Sequence, residues 1–202
     1  SFIMTGCPAT NMLVSTYMKD LMKKTKPSHA YEAIKRNHAP GGMMSYESAD
    51  DLKFYVKKGY CPGNAGKTLE WAFQDWGLSR MALRMGKKSD AALYEKRSRA
   101  WTPLFNKNIG LILPKKENGE WLHTDPLNGQ GWVEANAWQA TWSVSHDLPK
   151  LVELMGGGDA FCKKLNYAFE QARPTDFVHA YSGGYVSYAN QPGCSNAHLF
   201  TY

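Results

Sequence analysis

A chain of 202 residues with 43% apolar content can bury a core and is sized for one domain or part of one. Its net charge is +6, and its basic residues include five lysine doublets (Lys23-Lys24, Lys57-Lys58, Lys87-Lys88, Lys115-Lys116, Lys163-Lys164) dispersed among acids. That pattern describes solvated faces and, with no recognisable motif, argues against nucleic-acid binding.

No apolar run is long enough to span a bilayer. The opening residues, SFIMTGCPATNMLV, lack the basic start and long apolar centre of a signal peptide. They begin partway into an apolar segment, and the chain stops as abruptly at NAHLFTY, so an excerpt of a longer polypeptide is expected.

Helical periodicity dominates the first half. Residues 11–25 place Met12, Tyr17, Leu21 and Met22 on one side of a helix. A second helix is expected from Ser28, as N-cap, to about Lys35. After the loop HAPGGMM, Ser48 and Asp51 resemble a capping box that opens a helix ending at Gly59. GYCPGNAG is a turn-rich linker. The strongest helix follows: Leu69, Ala72, Phe73 and Trp76 fall at i, i+3, i+4 and i+7, and Gly86 is its stop. Asp75, inside it, is either exposed or a buried polar anchor.

A further helix is expected from Ser89 to about Trp101. Residues 103–131 are irregular, with a short strand at GLILP. Residues 135–158 are helical at both ends, and Pro149 breaks or restarts the helix. Gly156-Gly157-Gly158 is a helix stop rather than a phosphate cradle. A last helix spans about Asp159 to Arg173, and the tail is loop. The fold class is therefore mainly α. Helices paired through long Gly- and aromatic-rich loops suit an α/α toroid with its chemistry in the loops better than a tight bundle.

The aromatic share of 13%, with seven Trp and eleven Tyr, suits either a wide cleft or a Trp-rich core. Cys7, Cys61, Cys162 and Cys194 form no Cys-x-x-Cys pair, so zinc is not expected. Two disulfides and four free thiols both remain open.

The candidate chemistry centres on GWVEANAWQATW, residues 131–142. Glu134, set among Trp132, Trp138 and Trp142, would gain proton affinity if those rings desolvated it, and would then act as a proton donor. Alternatively it is a helix-start glutamate interacting with the positive end of the helix. Spacing alone favours that second role. Trp138 could stack on a sugar face, and Asn136 and Gln139 could hydrogen-bond hydroxyls. His146-Asp147 are adjacent, so they cannot face each other as a relay on a helix, and a structural role beside Pro149 fits better. YANQPGCSN, residues 188–196, offers oxygen donors from Asn190, Gln191, Ser195 and Asn196 for hydroxyls or a hard cation such as calcium. It has no carboxylate, and a bare turn is the commoner explanation.

In order, these segments resemble glycoside hydrolase family 92, the calcium-dependent exo-α-mannosidases. The resemblance rests on Gly59, Tyr60, Pro62, Leu69, Glu70, Trp71, Ala72, Asp75 and Trp76. It continues through Arg97, Ser98, Trp101, Leu104, Phe105 and the Asp125-Pro126 step. Glu134, Asn136, Ala137, Trp138 and Gln139 match the family's Glu-Gly-Asn-Ala-Trp-Gln stretch. His146, Asp147, Leu154, Met155, Gly156 and Gly157 follow, with Asn190 and Pro192 in the Asn-Glu-Pro loop.

The resemblance implies an N-terminal β-sandwich and a C-terminal (α/α)6 barrel, of which residues 1–202 would be part. It implies inversion of configuration, with Glu134 as general acid and the general base on an acidic pair beyond Tyr202. The 202 residues alone would then be inactive. It implies a calcium ion near Asn190 and Gln191, substrate contacts from Trp138, Gln139, Asn136, Asn190, His146 and Asp147, and an α-mannoside or N-glycan as substrate. A secreted, periplasmic or cell-surface location is implied too, with other segments of the same polypeptide or a larger assembly as partners.

Departures from the family weaken parts of this. Gln191 stands for Glu, Cys194 and Ser195 for paired His, Leu113 for Arg, and Pro8-Ala9 for Glu-Thr. An uncharged Gln191 lowers calcium affinity. Two functions follow: an inverting exo-α-mannosidase-like glycosidase, or a catalytically degenerate relative kept as a glycan-binding or structural module.

Overall fold

A computed structural model describes residues 6–45 and 49–201, with Ala49, Gln191 and Pro192 described by backbone alone. The chain divides into two compact units, Ser1–Cys61 with Lys67–Pro103, and Pro62–Gly66 with Leu104–Tyr202. Helices are the main regular structure in both, and the second unit also carries a long irregular stretch.

The first unit carries α1 (Ala9–Met18), α2 (Pro27–Asn37), α3 (Ala49–Lys58), most of α4 (Ala65–Arg84) and α5 (Lys88–Arg97). Helix α1 is shorter than its apolar pattern predicts. Arg84 Nη1 donates to Tyr17 O at 3.1 Å and Met18 O at 2.6 Å, satisfying the last carbonyls. The chain then turns at Asp20, which has φ 57°. Met12 and Leu21, placed on the expected apolar side, are exposed.

Helix α2 starts on Pro27 at its first position, with no side-chain cap, so Ser28 is not the N-cap. The capping-box residue Ser48 lies outside the described residues. Glycines end α3 and α4 as expected: Gly59 has φ 89° and Gly86 has φ 74°. Helix α5 stops at Arg97 rather than Trp101.

Leu78, Met81 and Ala82 of α4 pack with Val14, Tyr31, Ile34 and Tyr94 in the core of this unit. Asp75 is the buried anchor, at 0% exposure. Its Oδ1 lies 2.8 Å from His38 Nδ1. Its Oδ2 accepts from Tyr55 OH at 2.9 Å and Arg97 Nε at 2.8 Å. Arg97 also donates to His38 O from both Nη atoms at 3.2 Å, and Thr10 Oγ1 lies 2.9 Å from His38 Nε2. Burial, reinforced by the Asp75 charge, pushes the Tyr55 hydroxyl well above its ordinary value. One carboxylate thus ties α2, α3, α4 and α5 together.

The second unit begins with a small hairpin, β1 (Phe105–Asn106) antiparallel to β2 (Leu111–Ile112), with Phe105 opposite Ile112. Asn106 Oδ1 accepts from the backbone N–H of Asn108 and Ile109, and Gly110 at φ 71° completes the reversal. The expected strand at GLILP is present, and its partner is the preceding segment.

Helix α6 (Ala137–Ala140) is one turn long and α7 (Leu148–Met155) starts with Pro149 in its first turn, so the proline restarts the helix. Gly156, at φ 101°, ends α7, and α8 (Gly158–Ala172) follows. Thr141 Oγ1 accepts from Ile112 N at 3.0 Å and donates to Ala137 O at 2.7 Å, which fixes α6 against β2. Residues Gln191–Thr201 form a 3-10 helix where a loop was expected. Leu199 and Asn196 are buried there, which gives that segment a packed face. All four cysteines are free thiols.

Candidate functional site

The second unit holds a cleft of about 250 Å³ whose lining includes Glu134, Gln139, His179, Tyr181, Ser187 and Asn190. Glu134 is the only carboxylate on it among the described residues. Its backbone is left-handed, φ 52°, a conformation uncommon for a residue with a β-carbon. Asn190 Nδ2 lies 3.3 Å from Glu134 Oε2 and 3.4 Å from Glu134 O, so the 190 amide faces the carboxylate.

The surroundings of Glu134 differ from those of an acid enclosed by aromatic rings, the reading that spacing alone did not favour. Glu134 is exposed, so the three tryptophans do not enclose it. Those rings turn inward instead: Trp132, Trp138 and Trp142 are buried. Trp138 is 6% exposed, with Tyr185 and Tyr167 at 5.1 and 5.4 Å and Lys164 Nζ 4.9 Å from its ring centre. Lys164 donates to Ile109 O at 2.6 Å, and burial pulls its ammonium below the ordinary value. Trp138 is thus covered by protein and does not line the cleft.

Asn136 is the N-cap of α6 and is fully buried. Its Oδ1 accepts from Gln139 N at 3.1 Å, and its Nδ2 donates to Ser182 O at 2.7 Å and Gly184 O at 2.8 Å. Both amide hydrogens are committed, so it braces the 182–184 backbone rather than a ligand. Gln139 lines the cleft and donates from Nε2 to Gly183 O. His146 and Asp147 sit at the start of α7, away from the cleft lining, where Lys150 N and Leu151 N donate to Asp147 O at 3.1 and 3.2 Å. The structure therefore brings together Glu134, Gln139 and Asn190, and leaves Trp138, Asn136, His146 and Asp147 outside the lining. The Gln191 side chain lies outside the described residues.

The sequence matches the glycosyl hydrolase family 92 catalytic domain over residues 1–202. The chain belongs to that family. An uncharacterised secreted glycosidase of the fungus Arthroderma benhamiae is 23% identical over the whole of this chain and 31% of its own length. A family 92 inverting mannosidase of Bacteroides thetaiotaomicron is 27% identical, with a TM-score of 0.83 over 100% of this chain and 30% of that one. An α-mannosidase of the same bacterium in complex with mannoimidazole shares the fold, at 23% identity and a TM-score of 0.83. The chain spans about a third of the length of these relatives. The expected fold class, part of a helical toroid-like domain, is that of the family structures.

Three residues on the lining carry no signal in the motif reading: His179, Tyr181 and Ser187. They come from HAYSGGYVS, an aromatic- and glycine-rich run just ahead of the Asn190 turn. Among the family departures, Leu113 is fully buried, so an apolar side chain suits its place. Cys194 and Ser195 are exposed and off the lining.

Proposed function

We propose that the full-length polypeptide is an exported glycoside hydrolase, an inverting exo-α-mannosidase that removes terminal mannose from α-mannosides of the N-glycan type. The supporting observation is an open cleft with one carboxylate among the described residues, Glu134, and a facing amide, Asn190, at 3.3 Å. Family membership and the likeness to an inverting mannosidase add to it. The fungal relative's description as secreted supports export.

In this mechanism Glu134 protonates the leaving glycosidic oxygen while a carboxylate outside residues 1–202 deprotonates water on the other face of the sugar. Asn190, donating to Glu134 Oε2, holds the acid in one orientation. On this reading the chain is part of an (α/α)6 barrel, and an N-terminal β-sandwich lies elsewhere in the polypeptide. The test is proton NMR of the full-length protein acting on an α-mannobioside. β-Mannose should appear first. Initial α-mannose, or no mannose at all, defeats the reading.

Calcium is part of the proposal, with Asn190 and Gln191 as its ligands in this chain. Amide oxygens suit a hard cation, but calcium takes six to eight oxygens. Among the described residues no group of three or more His, Cys, Asp or Glu is placed to hold a metal ion. The residues here thus fit only as a minority of a shared site. The expected result is loss of most mannosidase activity of the full-length protein in excess chelator and recovery on adding Ca²⁺. Unchanged turnover after exhaustive chelation removes the ion from the mechanism.

A further inference from the structure

The segment 179–184, HAYSGG, supplies His179, Ala180 and Tyr181 to the cleft. Its position is held by several independent contacts. Asn136 clamps the carbonyls of Ser182 and Gly184, and Gln139 takes that of Gly183. Ser182 and Gly184 have φ of 60° and 67°, which folds the segment back on itself. Gly184 is required there, because a β-carbon would collide with the His179 ring.

His179 is fixed as well. Its Nε2 lies 2.8 Å from Thr175 Oγ1. Ser187 Oγ accepts from His179 N at 3.3 Å and donates to His179 O at 3.2 Å. With Nε2 engaged by Thr175, Nδ1 is the ring atom left for a ligand.

Tyr181 contrasts with the aromatics around it. Tyr185, further along the same segment, packs against Trp138 and Tyr167. Tyr181 is 68% exposed, and among the described residues no other ring covers it. A large amphipathic ring left in water on a braced loop, beside a cleft with one acid, suits stacking on the apolar face of a sugar. At about 250 Å³ the cleft lies below the range of drug-sized ligand pockets and suits a single sugar ring.

We propose that Tyr181 is the stacking surface for the saccharide ring in this cleft and that His179 hydrogen-bonds one of its hydroxyls. The proposal rests on the glycosidase reading above. It moves recognition of the sugar from Trp138, which is covered, to the 179–184 loop, and gives Asn136 and Gln139 the role of holding that loop.

The test uses the full-length protein with Tyr181→Ala, Tyr181→Phe and His179→Ala. Each variant is measured for kcat and KM on 4-nitrophenyl α-mannoside and for direct binding of methyl α-mannoside by calorimetry. Tyr181→Ala should raise KM and Kd about tenfold, with a smaller change in kcat. Tyr181→Phe, which keeps the ring, should recover most of that loss. His179→Ala should weaken binding several-fold, in line with one lost hydrogen bond. The thermal midpoint of Tyr181→Ala should match the parent, because the ring is not packed in the core.

A Tyr181→Ala variant with the parent's KM and Kd overturns the proposal, and so does a parent protein that binds no saccharide. Sugar binding that depends on Tyr181 in a protein without turnover sinks the mannosidase reading and leaves the cleft assignment standing. Turnover indifferent to Tyr181 does the reverse.

Discussion

Asp75→Ala is expected to cost about 3–5 kcal/mol of stability, the range for breaking a buried ion pair by removing one partner. The carboxylate is fully buried and meets His38, Tyr55 and Arg97 within 2.9 Å. Its loss leaves the Arg97 guanidinium, whose side chain is 11% exposed, without a countercharge. It also leaves the Tyr55 hydroxyl with Arg97 O, at 3.1 Å, as its remaining acceptor and strips one partner from His38. Replacing both charged residues together, Asp75→Leu with Arg97→Met, should cost less than the sum of the single changes, because neither charge is then left alone. Denaturant unfolding of the full-length protein reads both effects. A single-variant loss below about 1 kcal/mol, or strict additivity, would show that the network does not hold these helices.

Glu134→Gln in the full-length protein should lower kcat by about 10²–10⁴ on substrates with poor leaving groups, the usual share of a general acid. The effect should shrink on aryl mannosides, whose leaving groups need little protonation. That dependence distinguishes a lost acid from a collapsed cleft, which would penalise both substrates alike. Folding should be nearly unaffected, since the carboxylate is exposed and glutamine can keep the hydrogen bond from Asn190 through its carbonyl. A variant with parental rates on an α-mannobioside ends the assignment of Glu134.

How much of this was legible in the sequence depends on the kind of signal. Helix α4 was readable because its apolar residues repeat at helical spacing and a glycine closes it. The apolar pattern of α1 runs on past Met18, whereas the helix stops there, with a distant arginine, Arg84, donating to its last carbonyls and the chain turning at Asp20. No local pattern carries that contact. The motif around Glu134 was found, but the side-chain directions within it were not. Periodicity cannot tell that Glu134 takes a left-handed backbone while Trp138 turns under Tyr167 and Tyr185. Asn136 has the residue type of a sugar ligand, yet its amide hydrogens go to carbonyls 46 and 48 residues later. His179 and Tyr181 were missed for the same reason, since only the folded loop brings them to the acid.

The φ of 52° at Glu134 has a wider consequence. Glycine or asparagine would sit in that backbone conformation at lower energy, by roughly 1 kcal/mol or more for glycine. A stability-guided redesign would therefore choose to replace the residue proposed here as the general acid. If the proposal holds, position 134 is where ease of folding and usefulness diverge, and only the side-chain contact from Asn190 at 3.3 Å depends on glutamate being there.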